Sequence, residues 1–90
     1  MHPIKREEIF LLFFFGIEIW NTPKKDSKHG WLGIFNRTAD LKSISLEHVD
    51  LGLSNNSQYV LSDVWNEKTV NTLDFDINPN GVVFLKYTQK

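Results

Sequence analysis

Three blocks of this chain alternate apolar and polar residues, and no segment sustains a period of 3.6. The blocks read IEIWNTPKKDSKHGWLGIFNRTAD, YVLSDVWNEKTV and FDINPNGVVFLKY, and each carries a turn signal. A period of two sends successive side chains to opposite faces of a strand, whereas helices need the longer period. The alternation therefore restricts the chain to an all-β, antiparallel fold. Ninety residues make one small domain, and a chain of that length has only a modest core.

The strands follow from the pattern. Ile17 to Thr22 sets Ile17 and Ile19 against Glu18 and Trp20. The polar stretch Pro23 to Gly30 reads as a hairpin connection. Trp31 to Arg37 places Leu32 and Ile34 on one face and Trp31 and Phe35 on the other, with Gly33 free to lie under a ring from a neighbouring strand. Leu41 to Glu47 turns Ile44 and Leu46 inward. The connection His48 to Ser57 is long enough to cross between sheets, as a Greek key requires, with Leu51 and Leu53 plugging one end of the core. Gln58 to Trp65 is expected to be a central strand, with Tyr59, Leu61 and Trp65 on one face. Val70 to Ile77 reads as one strand with Leu73, Phe75 and Ile77 inward and Asp74 and Asp76 outward. Asn78-Pro79-Asn80-Gly81 is the strongest turn, and Val82 to Tyr87 closes the fold before a frayed tail. The expected architecture is an antiparallel Greek-key β-sandwich over residues 17–90, preceded by an extension over residues 1–16.

That extension holds the most apolar run in the chain, IFLLFFFGI. It is too short to span a bilayer as a helix, which takes roughly 20 residues. Lys5 and Arg6 ahead of it resemble a secretory leader, but Glu7 and Glu8 intervene and no small-x-small cleavage site follows. The better reading is an added strand, mostly extended and buried from Phe10 to Phe15, with a break or bulge at Gly16. The same run offers a homo-oligomer contact if it covers a second copy.

The composition excludes several kinds of chemistry. A net charge of −1 provides no basic stripe for nucleic acid. With no cysteine there is neither a disulfide nor a thiolate metal site. A cysteine-free chain suits a reducing, cytoplasmic setting better than secretion. His2, His29 and His48 lie far apart, without the spacing of metal ligands, so neither metal nor cofactor is implied. Asp74 and Asp76 share a strand face at a spacing compatible with glycosidase carboxylates. Solvent-facing strands produce such pairs by chance, and no catalytic residue is assigned. Trp20, Trp31 and Trp65 are the candidate carbohydrate-binding residues, because an indole face matches the C–H face of a sugar. The chain's need for core volume favours a packing role for them instead. Asn36 and Asn55 each begin an Asn-x-Ser/Thr sequon.

Four short motifs fall in a telling order: a strand ending in Trp20, a strand ending in Phe35-Asn36-Arg37, a strand ending in Asp63-Val64-Trp65, and a last strand after Pro79-x-Gly81. In this the chain resembles the C-terminal β-sandwich domain of the α-galactosidase (melibiase) family of glycoside hydrolases, over roughly Ile17 to Tyr87. The resemblance implies an accessory sandwich that packs beside a catalytic barrel and lends structural support, with no activity of its own. The family's catalytic aspartates lie in barrel motifs that no residue here matches. The implied partners are a glycoside hydrolase catalytic domain or a carbohydrate. The alternatives are a free-standing carbohydrate-binding module and an interaction or oligomerisation domain. MHPIKREEIFLLFFF has no counterpart in the barrel's tail. That leaves two expectations, a piece of a longer gene or a free-standing product with its own N-terminus.

Overall fold

A computed structural model describes residues 9–24 and 28–90. The leader-like features at Lys5 to Glu8, His2 and the middle of the first hairpin loop lie outside the described residues. Among the described residues eight strands form: β1 (Ile9–Phe14), β2 (Ile17–Pro23), β3 (His29–Asn36), β4 (Lys42–Ser45), β5 (Tyr59–Asp63), β6 (Lys68–Val70), β7 (Asp74–Ile77) and β8 (Val82–Gln89). One turn of 3-10 helix, His48–Leu51, interrupts the connection from β4 to β5. A six-stranded sheet runs β1-β2-β3-β8-β5-β6, and a two-stranded sheet pairs β4 with β7. Every described pairing is antiparallel. The chain crosses to the small sheet and back, and β8 returns between β3 and β5, giving the Greek-key sandwich its order.

The alternation sorts the faces as the sequence indicates. The inner face of the large sheet supplies Ile17, Ile19, Leu32, Ile34, Leu61, Leu85 and Tyr87, all buried. Leu46, Leu51, Leu53 and Ile77 close over them from the small sheet and the 3-10 turn. Two buried asparagines tie the layers together. Asn21 Nδ2 donates to the Leu51 carbonyl at 3.0 Å, while the Tyr87 hydroxyl donates to Asn21 Oδ1 at 3.0 Å. Asn36 Nδ2 donates to the Ile77 carbonyl at 2.9 Å, joining the end of β3 to the end of β7. Buried amides are tolerated only with such partners.

Four details differ from the sequence reading, and the last turn matches it. Gly16 breaks the strand as a turn, not a bulge: Phe15 (φ 48°) and Gly16 (φ 81°) form a tight two-residue hairpin turn between β1 and β2. Positive φ at both central residues matches the twist of the flanking strands. The bulge falls instead between Phe10 and Leu12. The run is extended from Ile9 to Phe14, but it is not buried throughout, because Phe13 is 56% and Phe15 84% exposed. Val70 to Ile77 is two strands in different sheets, with the crossover at Asn71 to Leu73. The C-terminal tail is paired: His29 faces Thr88, Tyr59 faces Gln89, and the Lys90 N–H donates to the Gln58 carbonyl at 2.8 Å. The Asn78–Gly81 turn forms where the sequence places it, with its positive φ at Asn80 (58°), after Pro79.

Candidate functional site

The outer face of the large sheet, opposite the core, carries the aromatic residues. Register aligns Trp20, Gly33 and Phe84 in one row across β2, β3 and β8. The next row runs Thr22, Trp31, Lys86, Ser62 and Thr69 across five strands. Trp20 and Trp31 are half-buried on this face, so they do not fill the core. Their partners in the strand alternation, Ile19 and Leu32, do that. The ring over Gly33 comes from Phe35 of the same strand rather than from a neighbour, and a Cβ at Gly33 would meet it at 2.8 Å.

Ring contacts hold the surface in place. Trp31 stacks on Phe84 with centroids 5.5 Å apart and planes 18° from parallel. Trp65 meets the other side of the cluster, 5.9 Å from Phe84. The Arg37 guanidinium lies 5.0 Å from the Phe35 ring centre, and its Nε donates to Glu18 Oε1 at 2.9 Å. Trp65 is 62% exposed and does not share the face of Tyr59 and Leu61. The strand stops at Asp63, whose Oδ1 accepts the N–H of Trp65 at 3.0 Å and of Asn66 at 3.1 Å. That turn swings Trp65 to the outer side. The Asn66 side-chain amide, then the Asn66 and Trp65 N–H groups and the Lys68 charge, hold the Asp63 carboxyl below the usual carboxylate range.

Two shallow hollows flank Trp31. One, of about 290 Å³, is lined by Trp20, Thr22, Gly33, Phe35, Arg37 and Phe84 besides Trp31. The other, of about 380 Å³, is lined by Ser62, Asp63, Glu67, Lys68, Thr69 and Lys86 besides Trp31. Sequence reasoning singled out Trp20 and Trp31 but not Phe84, Lys86, Ser62 or Thr69. Their shared row depends on the β3–β8–β5 register, which no local pattern reveals.

The other candidates are dispersed. Asp74 and Asp76 are exposed on the small sheet, where they accept hydrogen bonds from Ser45 and Ser43, each at 2.6 Å. His48 packs edge-on against Tyr59 at 5.4 Å, and His29 opens β3. Among the described residues, no three His, Cys, Asp or Glu side chains gather as a metal site would require. No helix among them is long and apolar enough to cross a membrane. The sequon residue Asn36 is 1% exposed, so in the folded chain its amide is committed to the core.

No curated protein matches the chain at a significant level. Solved structures match its fold. A GH27 β-L-arabinopyranosidase from Geobacillus stearothermophilus superposes with a TM-score of 0.72 and 16% identity, covering 90% of this chain and 19% of that one. α-Galactosidase I from Mortierella vinacea gives 0.71 and 16%, covering 89% of this chain and 22% of its own. The chain thus spans about a fifth of these relatives. Residues 15–87 match the profile of the α-galactosidase C-terminal β-sandwich domain. With that match across most of its length and the two-sheet antiparallel fold, the chain belongs to the α-galactosidase C-terminal β-sandwich domain family.

Proposed function

We propose that the chain is a non-catalytic accessory sandwich that packs against the catalytic domain of a glycoside hydrolase. One observation supports the partner most directly. Phe15, in the β1–β2 turn, is 84% exposed, Phe13 two residues before it 56%, and Leu41, at the end of the β3–β4 connection, 54%. The Arg37 N–H donates to the Gly16 carbonyl at 2.8 Å, which brings the β1–β2 turn beside the start of the β3–β4 connection. Contiguous exposed apolar residues mark interaction surfaces. Family membership supplies the kind of partner, and the chain's share of its structural relatives leaves most of their length to other parts of the molecule. Asp74 and Asp76, the carboxylates that share a face of the small sheet, accept hydrogen bonds from serine hydroxyls on an exposed face, which supports a non-catalytic role.

The docking reading is tested by mixing the purified chain with the barrel-type α-galactosidase catalytic domain of the same organism and following co-elution by size exclusion. A one-to-one complex is expected, and it should be lost in the Phe15→Ser, Leu41→Ser double variant. Independent elution of the unmodified chain at all concentrations up to about 100 times a micromolar Kd would count against docking at this end. So would a complex indifferent to both substitutions.

A further inference from the structure

We propose that the outer face of the large sheet carries a binding groove for a neutral saccharide, with the Trp31 indole as its platform. The Trp31 platform is set back from the proposed docking end, five residues from Asn36 along β3, roughly 16 Å at strand rise, and only the far side of the apolar hollow, at Arg37, reaches toward that end.

Three observations lead to this ligand class. First, Trp31 is shared by two hollows of opposite character. On one side the walls are aromatic, with the Phe35 ring lying over Gly33. On the other they carry hydroxyl, carboxylate and ammonium groups. Small-molecule sites combine apolar walls with a few placed polar groups, and a sugar ring has an apolar C–H face and a hydroxylated edge. Second, the polar side is balanced in charge, with Asp63 and Glu67 facing Lys68 and Lys86. An anion or a cation would meet both signs, whereas a neutral polyol can donate to one set and accept from the other. Third, the platform is held before a ligand arrives. Phe84 backs the Trp31 ring at 5.5 Å, with Trp65 packed on Phe84 in turn. A fixed ring loses little freedom on binding. Of the three tryptophans, Trp31 forms the platform, Trp20 walls the apolar side and Trp65 buttresses it. Each hollow is of the size of one or two sugar rings, so a short stretch of an oligosaccharide would lie across the row Thr22, Trp31, Lys86, Ser62 and Thr69.

Affinity electrophoresis in native gels containing galactomannan, xylan or mixed-linkage β-glucan tests the groove. The chain should be retarded in at least one of the three. Trp31→Ala should weaken that retention about tenfold, the worth of one good aromatic contact. Lys86→Ala, an exposed position remote from the core, should weaken it severalfold and remains informative if Trp31→Ala fails to fold. Asp74→Asn, on the other sheet, should leave it unchanged. No retardation in any gel would overturn the proposal, as would full retention by Lys86→Ala and a folded Trp31→Ala. The Phe15→Ser, Leu41→Ser variant should be retained normally, which keeps this result distinct from the docking test.

Discussion

Replacing Asn36 with alanine is expected to destabilise the domain by about 3 kcal/mol, out of proportion to the atoms removed. Its Nδ2 donates to the carbonyls of Asp40, Ile77 and Asn78 at 2.8, 2.9 and 3.1 Å. Its Oδ1 accepts the Thr38 N–H at 2.9 Å and the Thr38 hydroxyl at 2.6 Å. One side chain thus holds the end of β3, the β3–β4 turn and the exit from β7. Without it, the Ile77 carbonyl in particular loses its buried donor, and a buried group left unpaired costs about 1–3 kcal/mol. Urea denaturation checks the value. A variant within about 0.5 kcal/mol of the original, the range of ordinary surface changes, would show that the amide is not the tie between the sheets.

The second large effect is expected at Leu85. It is fully buried on β8, opposite Leu32 of β3 on one side and Asp63 of β5 on the other. Leu85→Ala removes core volume from the centre of the large sheet, where paired neighbours on both sides limit collapse, and should cost about 2–5 kcal/mol. That is a large fraction of the stability of a small domain. Val60→Ala, on the outward face of β5 and 39% exposed, should cost less than about 1 kcal/mol. Denaturation midpoints of the two variants compare them directly. A Leu85 variant no weaker than the Val60 variant would mean that the inner face has been misplaced.

The sequence made the faces of β2 and β3 legible because Ile17, Ile19, Leu32 and Ile34 alternate with groups of a different kind. The same alternation placed Trp20 and Trp31 opposite the core. The expectation that they fill it came from counting volume rather than following the period. Where the reading failed, a local feature concealed a change of direction. Leu73 keeps the inward pattern while the chain leaves one sheet for the other, so β6 and β7 read as a single strand. Asp63 ends β5 through its own carboxylate, and Trp65 lost the face that alternation assigned it. The β1–β2 turn places Phe15 at positive φ, where Asn or Gly is the usual signal. The two hollows could not be read at all, because they depend on long-range register among β2, β3, β8 and β5.

We propose a sandwich that serves glycoside hydrolysis without performing it. The most direct measurement is steady-state assay of the purified chain against 4-nitrophenyl α-galactoside. No nitrophenol release above the buffer rate is expected at any substrate concentration. Saturable turnover that disappears in Asp74→Asn would contradict it, and would make the exposed face of the small sheet a catalytic surface.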